Sequence, residues 1–198
     1  MIFFLNRQKQ LFDFLSRSPH ITLSHQIWKE HLKQGDHVLD ATVGNGHDAA
    51  FVAPLIFPTG RLIALDIQSS ALQKSKELLG DHYPIDWILQ SHATYPNSLD
   101  DSCLDLVIFN LGYLPGSDKE CITQSQTTIT SLKALSDKLK QGGMLSITTY
   151  SGHPGGQEEE HAVENFVSSL ERHQFGVISF SWPNRPQAPK LFIAKKRL

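Results

Sequence analysis

The sequence predicts a doubly wound α/β fold, in which a mostly parallel sheet carries helices on both faces. From residue 36 onward, short apolar segments alternate with segments of helical periodicity, a pattern typical of parallel strands joined by crossover helices. The first apolar segment runs into a glycine turn at residues 44–46, where such folds bind ligands. Only residues 183–189 separate the last two apolar segments. They are too few for a crossover helix, so we expect an antiparallel C-terminal strand.

Two helices are predicted before the first strand. Residues 2–17 have apolar side chains at helical spacing, and Pro19 ends this helix because the residue before a proline avoids helical angles. The second helix is predicted over residues 23–33, with Thr22 or Ser24 as its cap. Both helices precede the sheet and are expected to cover one of its edges or faces.

The alternating part of the chain predicts seven strands and the helices that connect them. The expected strands are 37–40, 61–66, 85–89, 104–109, 144–149, 176–182 and 190–196, and the expected helices are 47–57, 69–79, 125–140 and 157–173. Segment 104–109 is nearly all apolar, as expected for a strand buried on both faces. Gly142 and Gly143 are expected to end the helix that precedes the fifth strand.

Length and composition favour one globular domain. We expect residues 1–198 to form a single domain, with residues 1–34 as an N-terminal helical extension. The chain has 40% hydrophobic and 19% charged residues and a formal net charge of −2, which excludes nucleic-acid binding by bulk positive charge. Two cysteines exclude a disulfide scaffold. The sequence contains no apolar run of the roughly 18 residues that a membrane span needs and no signal-peptide pattern. A cytoplasmic monomer or homodimer is expected.

The glycine turn and a later acidic residue together predict a nucleoside-cofactor site. Gly44 and Gly46 follow the first strand and allow the main chain to turn sharply near a ligand. Asp66 ends the second strand, where a carboxylate accepts hydrogen bonds from both hydroxyls of a ribose. Asp40, before the turn, would repel the phosphates of a dinucleotide and attract the ammonium of an amino acid. S-adenosylmethionine, which carries an ammonium and no phosphate, therefore fits better than NAD.

Several short segments carry a resemblance to known methyltransferases. Residues 38–46 resemble motif I of the class I S-adenosylmethionine-dependent methyltransferases, and residues 139–145, LKQGGML, resemble the segment leading into their fifth strand. The segments DATVGNGHD (40–48), FNLGYLPGSDK (109–119) and TYSGHPGGQEE (149–159) are similar to one bacterial and plant family first described as rRNA methylases. The resemblance covers most of the chain from about His25 onward.

The resemblance implies a fold, a donor and a substrate. It implies the Rossmann-like, seven-stranded methyltransferase sheet with an antiparallel C-terminal strand, and S-adenosylmethionine as the methyl donor. The family is associated with the tRNA wobble position, where it methylates the amine of 5-aminomethyl-2-thiouridine. The anticodon stem-loop of a tRNA is therefore the expected partner.

The cofactor is expected to contact the ends of several strands. Ser91 or His92, after the third strand, is expected where this fold recognises adenine. Asp48 is interpreted equally as a cap of its helix and as a cofactor contact, and the resemblance places His25 in the cofactor pocket. The expected cofactor-binding residues are His25, Asp40, Thr42, Gly44, Asn45, Gly46, Asp48, Asp66, Ile67, Gln68, Ser91, His92 and Asn110.

The residues that follow the fourth strand are expected to bind the acceptor amine of the substrate. The side-chain oxygen of Asn110 and the carbonyl of Leu111 would accept amine hydrogens and aim the nitrogen lone pair at the methyl carbon. Tyr113 is expected to stack on a base, or else to pack at the domain edge, and Asp118 is expected to bind an alkylammonium, or else to be a surface acid. The expected catalytic residues are Asn110, Tyr113, Asp118 and His153, and the expected substrate-binding residues are Leu111, Gly112, Tyr113, Tyr150 and His153.

Several alternatives stay open at this stage. The same enzyme class acting on rRNA or a small amine is the nearest one, and a non-catalytic nucleotide-binding or RNA-binding module is the more distant one. No histidine pair has metal-site spacing, so no metal is expected. Residues 158–160 are acids that suit a helix N-terminus. The basic residues are interpreted as a modest phosphate-contact surface or simply a solvated face; they are Lys119, Arg185, Lys190, Lys195, Lys196 and Arg197.

Overall fold

The computed structural model of this protein describes residues 19–95, 99–112, 122–185 and 187–198. Five helices and seven strands lie along the described residues. They are α1 (Pro19–His31), β1 (His37–Asp40), α2 (His47–Ile56), β2 (Arg61–Asp66), α3 (Ser69–Leu79), β3 (Asp86–Leu89), β4 (Leu104–Leu111), α4 (Ser125–Lys138), β5 (Leu139–Thr149), α5 (Gly156–Ser169), β6 (Phe175–Phe180) and β7 (Lys190–Lys196). The helix predicted over residues 2–17 lies outside the described residues.

The strands form one seven-stranded sheet in the order β3-β2-β1-β4-β5-β7-β6. Strands β1 to β5 pair in parallel, and β7 lies antiparallel between β5 and β6. The sheet confirms the predicted fold, including its antiparallel C-terminal strand. The strand order reverses at β1, because β2 and β4 lie on opposite sides of it. A crevice forms at such a reversal, since the connections leave toward opposite faces.

Two apolar cores cover the two faces of the sheet. One contains residues of α4 and α5, such as Leu132 and Val163, packed on β1, β2, β4, β5 and β7. The other contains residues of α1, α2 and α3, such as Trp28, Val52 and Leu72. Strand β4 is buried along most of its length, as its apolar sequence predicts.

The first described helix begins earlier than predicted. Helix α1 starts at Pro19, because a proline is well tolerated in the first turn of a helix, where its missing N–H needs no partner. The predicted cap at Thr22 or Ser24 is therefore wrong, since both residues lie inside the helix. The Ser24 hydroxyl instead donates to the Ile21 carbonyl at 2.9 Å.

The fifth strand also begins earlier than predicted. Helix α4 ends at Lys138 and β5 starts at Leu139, so the prediction that Gly142 and Gly143 end the helix is wrong. Both glycines lie within β5, where its register against β4 shifts. Gly142 has a φ of +80°, and a Cβ on Gly143 would lie 2.8 Å from the Leu104 carbonyl oxygen. These glycines therefore make an irregularity inside a strand, which glycine accommodates most easily.

Candidate active site

The predicted site residues that the structure describes lie mostly at the carboxyl edge of the sheet, around the reversal at β1. The ends of β1, β2, β4 and β5 place Asp40, Asp66, Asn110 and Tyr150 along this edge. Because β1 to β5 are parallel, all their carboxyl ends meet there. Tyr113 and Asp118 lie outside the described residues, so their predicted roles stay predictions.

The glycine turn after β1 has the backbone conformation that its sequence predicts. Gly44 and Gly46 have φ values of +54° and +82°, a region that favours glycine. A Cβ on Gly46 would lie 2.8 Å from the Cβ of Ser75, so helix α3 packs directly on the turn. The Ser75 hydroxyl donates to the Gly44 carbonyl at 2.8 Å. The turn is therefore held from behind, and its opposite side faces the edge of the sheet.

Asp66 organises the turn from the end of β2. One carboxylate oxygen accepts the Gly44 amide at 3.0 Å, and the other accepts the Gln68 amide at 2.8 Å. Burial raises the pKa of Asp66, while these amide bonds act in the opposite direction. Each carboxylate oxygen can accept a further hydrogen bond. The geometry thus leaves Asp66 able to accept ribose hydroxyls while it holds the turn.

Asp40 is buried deeper than its predicted contact with a ligand requires. Its side chain has 0% exposure, and one oxygen accepts the Thr42 amide at 3.2 Å. The other oxygen, Oδ2, is buried without a hydrogen-bond partner among the described residues. Burial, followed by the charge of Asp48, raises the pKa of Asp40 well above its usual range. A nearby ammonium would stabilise the ionised form of the Asp40 carboxyl group by electrostatic attraction through the turn. Asp40 therefore suits a cationic ligand.

Two apolar side chains stand exposed beside Asp66 at the carboxyl edge of the sheet. Ile67, after β2, is 52% exposed and Leu89, at the end of β3, is 58% exposed. Leu89 is the register partner of Asp66 and Ile67 follows Asp66 in the chain, so both apolar groups border this acid. Sequence reasoning included Ile67 and missed Leu89. An apolar last residue on a strand next to Asp66 is the signal that could have identified it.

Ser91 and His92 separate in the structure. His92 is only 7% exposed, its ring packs edge-on against Phe109 at 5.9 Å, and its Nε2 lies 3.4 Å from the Thr128 hydroxyl. Burial lowers the pKa of His92. Ser91 is half-buried, and its hydroxyl accepts the Ala93 amide at 3.2 Å. The His92 ring as placed faces the interior, and the adenine contact predicted for Ser91 or His92 stays a prediction.

Asp48 links three chain segments rather than capping its helix. The N-cap of α2 is Gly46, with no side-chain cap bond, so the predicted capping role is wrong. One Asp48 oxygen lies 2.6 Å from His25 Nε2, and the other accepts the Asn110 side-chain amide at 2.7 Å. The His25 ring stacks on Phe51 at 4.0 Å. The bridge fixes the Asn110 amide so that its NH₂ faces Asp48 and its oxygen faces away.

The main chain of Asn110 is fixed as well. Its amide N–H donates to the Thr42 hydroxyl at 2.7 Å. This bond joins the end of β4 to the turn after β1. Asn110 is thus held through both its backbone and its side chain, as a group that orients an acceptor must be.

Tyr150 meets α1 above the end of β5. Its hydroxyl lies 3.1 Å from His20 Nε2, and the two rings pack edge-on at 5.6 Å. Burial, followed by the charge of Asp48, raises the pKa of Tyr150 to about 12, and burial lowers the pKa of His20. Both groups are therefore neutral near pH 7. Sequence reasoning missed His20, because nothing in its local pattern places α1 beside β5.

Gly112 and His153 meet beside Tyr150. Gly112 has a φ of +144°, and a Cβ there would lie 3.4 Å from His153 Nε2 and 3.5 Å from Tyr150 Cβ. His153 Nδ1 lies 2.9 Å from the Pro154 carbonyl oxygen, and Nε2 is buried. The glycine lets β4 turn under the imidazole. The roles predicted for Gly112, Leu111 and His153 stay predictions, with Leu111 itself only 1% exposed.

The predicted grouping of the basic residues on one phosphate-contact surface is wrong for the described residues, and Lys119 lies outside them. Strand β7 runs antiparallel to β5, so Lys190 pairs with Thr149 at the carboxyl edge and Lys195 pairs with Met144 toward the opposite edge. The basic residues near the C-terminus therefore do not share a surface with those of the β6–β7 connection. Lys190 is also held by Glu160 at 2.9 Å and Glu164 at 2.7 Å.

Among residues 19–95, 99–112, 122–185 and 187–198, no group of His, Cys, Asp and Glu could hold a metal ion. Within the same ranges, no helix has the length and apolar character that crossing a membrane requires.

The sequence and the fold of this chain are similar to those of known proteins. Residues 62–196 match the model of the family described as "Putative rRNA methylase". A chloroplastic protein of Arabidopsis thaliana named tRNA (mnm(5)s(2)U34)-methyltransferase is 35% identical over 187 residues, which cover 88% of this chain and 68% of that protein. A putative rRNA methylase from Clostridium thermocellum has 32% identity and a TM-score of 0.85, covering 91% of this chain and 98% of that one. A putative methyltransferase from Streptococcus mutans in complex with SAH has 34% identity and a TM-score of 0.81, covering 91% and 99%.

Proposed function

This chain belongs to the putative rRNA methylase family, and we propose that it methylates the aminomethyl nitrogen of 5-aminomethyl-2-thiouridine at the tRNA wobble position. The chain is an S-adenosylmethionine-dependent methyltransferase. The name of the plant relative supports the substrate. The observation that carries the proposal is the Asn110 side chain at the carboxyl edge of the sheet, whose NH₂ group is held by Asp48 so that its oxygen is turned away from that carboxylate.

The residues around the turn fit this donor. Asp66 would hold the ribose hydroxyls, and Ile67 and Leu89 would flank the adenine. The unpartnered oxygen of buried Asp40 suits a site that receives an ammonium through the turn. S-adenosylmethionine supplies an electrophilic methyl group on a sulfonium when it is bound.

The acceptor residues act by orientation. Methyl transfer requires a neutral amine whose lone pair points along the line of the breaking sulfur–carbon bond. The Asn110 oxygen would accept one amine hydrogen, the Leu111 carbonyl would accept another, and Gly112 would let the backbone approach. Holding the two reactants in this geometry supplies most of the rate acceleration. Alignment of two reactants can lower the activation free energy by up to about 7–11 kcal/mol.

The substrate proton must leave before attack, because an aminomethyl group is mostly charged near neutral pH. His20 is neutral there, since burial lowers its pKa, and it contacts the Tyr150 hydroxyl. These two groups line the same edge as Asn110 and do not add a positive charge that would oppose an ammonium. Tyr150 and His153 are proposed to contact the base or to take part in proton transfer.

The test is methyl transfer from labelled S-adenosylmethionine to tRNA isolated from cells that lack this gene. Nucleoside mass spectrometry should show 5-aminomethyl-2-thiouridine gaining the mass of one CH₂ group. Parallel reactions contain fully modified tRNA, rRNA and a free primary amine, and Asn110→Ala serves as the inactive control. Label in rRNA or the free amine alone would overturn the tRNA substrate. Cofactor binding without transfer to any acceptor would favour a non-catalytic module.

A further inference from the structure

A buried carboxylate outside the predicted site lies next to the acceptor strand. Glu159, in the first turn of α5, is only 2% exposed. Both of its oxygens accept threonine hydroxyls at 2.6 Å, from Thr123 and from Thr128. No cation pairs with Glu159 among the described residues. Burying a carboxylate without a cation is costly even when it is hydrogen-bonded, and its role as a helix-terminus acid does not require this burial.

The Glu159 bonds lead directly to the acceptor strand. The Gly112 amide donates to the Thr123 hydroxyl oxygen at 2.8 Å, and the Thr123 amide donates to the Gly112 carbonyl at 2.9 Å. These two hydrogen bonds, which we call the Gly112 clasp, join the end of β4 to Thr123. Because a threonine hydroxyl has a single hydrogen, and its oxygen already accepts the Gly112 amide, that hydrogen points to Glu159. The carboxylate thus sets the orientation of the clasp.

The clasp holds an unusual backbone conformation. Gly112, two residues after Asn110, has a φ of +144°, which lies in a region that favours glycine. Asn110 must hold its amide within a narrow range for the amine to be aligned. A loosened clasp would let the end of β4 relax and would move the Asn110 and Leu111 oxygens together.

We propose that Glu159 is a positioning residue for methyl transfer, acting through Thr123 and Gly112 on the acceptor end of β4. The inference rests on the function proposed above. Glu159 touches neither the donor nor the acceptor in this arrangement. Its removal should therefore reduce kcat while leaving donor affinity unchanged.

The neighbouring residue supplies a matched control. Glu160 is also buried, at 7% exposure, and its oxygens contact the Thr149 hydroxyl at 3.0 Å and Lys190 at 2.9 Å. Glu160 therefore joins β5 to β7 and makes no described bond to the Gly112 clasp. Replacing either glutamate with glutamine removes one buried carboxylate from the same helical turn, but only Glu159→Gln disturbs the clasp.

The experiment compares Glu159→Gln with Glu160→Gln in the full chain. A glutamine amide can accept only one of the two hydroxyls, because its NH₂ has no acceptor role. We expect Glu159→Gln to lower kcat on tRNA about 30-fold or more, since small misplacements near a reacting group cost on the order of 100-fold. The Kd for S-adenosylmethionine should stay within about twofold, and Glu160→Gln should lower only the melting temperature. Equal kcat losses in the two variants, or a loss that follows the melting temperature, would overturn the proposal.

Thr123 provides the second set of variants. Thr123→Val keeps the side-chain shape and removes the hydroxyl, so it should lower kcat as much as Glu159→Gln does. Thr123→Ser restores the hydroxyl and should recover most of the activity. The double variant Thr123→Val with Glu159→Gln should be no worse than either single variant, because both break one chain of bonds. Additive losses would contradict this chain of bonds.

A readout without substrate separates this proposal from the proposed function. Hydrogen exchange at the Gly112 amide should accelerate in Glu159→Gln and not in Glu160→Gln. If the wild-type protein methylates no tRNA, the substrate assignment fails, and the exchange data still decide the role of Glu159. Unchanged exchange in Glu159→Gln would remove the structural basis of the inference.

Discussion

The candidate site has two halves that are built in different ways. The cofactor half contains Gly44, Gly46 and Asp66, and the acceptor half contains Asn110, Gly112 and Tyr150. In the cofactor half, backbone amides of residues close to the turn bind the strand-end acids, as in the bonds from Gly44 and Gln68 to Asp66. In the acceptor half, side chains from distant segments hold Asn110 and Gly112. Asp48 reaches Asn110 across 62 residues of sequence, and His20 reaches Tyr150 across 130.

This difference shows which parts of the site respond to a single change. A glycine turn can tolerate new side chains on its neighbours, because its geometry lies in the main chain. The acceptor half depends on a few side-chain hydrogen bonds, each with one specific partner. We therefore expect changes in the cofactor half to affect donor affinity and changes in the acceptor half to affect kcat.

Asp66→Ala should have the largest effect and test the cofactor half. It removes the proposed ribose acceptors together with the two bonds that hold the turn. Because a hydrogen bond to a charged group contributes about 1.5–3 kcal/mol, the Kd for S-adenosylmethionine should rise at least about 100-fold in calorimetry. Asp86→Ala, which removes a partly exposed ion pair with Arg61, is the control. Circular dichroism should show both variants folded, and wild-type affinity in Asp66→Ala would refute the ribose assignment.

Asp48→Asn should have a smaller effect and decide to which half Asp48 belongs. An asparagine there keeps only one acceptor oxygen, so either the His25 or the Asn110 contact is lost. Since one hydrogen bond to a charged group contributes about 1.5–3 kcal/mol, kcat should fall about 10-fold or more, with donor Kd nearly unchanged. Steady-state kinetics and calorimetry on the same preparation measure both quantities. A rise in Kd with unchanged kcat would move Asp48 into the cofactor half.

His92→Gln should have the smallest effect and appear only in the pH dependence of stability. Burial lowers the pKa of His92 below its ordinary value of 6.5, so the unfolded chain binds this proton more readily than the folded one. The stabilisation from a neutral His92 is complete above pH 6.5 and declines as the pH falls below that value. Glutamine keeps a donor toward Thr128 without titrating.

Thermal unfolding between pH 7 and pH 5 measures this effect. The stability of His92→Gln should decline less on acidification than that of the wild-type protein. His173→Gln, at an exposed histidine, should follow the wild-type curve. Parallel curves for all three proteins would show that the burial of His92 does not affect the pH dependence of stability.

Much of the cofactor half could be predicted from the sequence because its chemistry is local. The glycine spacing and the strand-end position of Asp66 follow from short patterns whose period and order are visible in the chain. The alternation of strands and helices predicted the sheet, and strands 37–40 and 61–66 have the predicted bounds. The predicted helix and strand boundaries were less accurate at Pro19 and Gly142. A proline can end one helix or begin the next, and a glycine can end a helix or lie in an irregular strand.

The acceptor half could be predicted only in part. Asn110, Gly112 and Tyr150 were identified as candidates, but their partners were not. His20 comes from a helix that crosses to β5, and Glu159 is buried because α5 begins beside the Gly112 clasp. The basic residues were grouped by sequence proximity, whereas the antiparallel direction of β7 separates them.

By itself, the sequence determined the fold class, the cofactor turn and the family resemblance, because periodicity, glycine spacing and short motifs depend on neighbouring residues. Only the tertiary structure decided that Asp48 bridges His25 and Asn110, that His92 faces the interior and that Glu159 supports the end of β4. These contacts join segments far apart in the chain, and their partners are set by how helices pack on the sheet. No local pattern carries that information, since the same side chain at the same position satisfies many different packings.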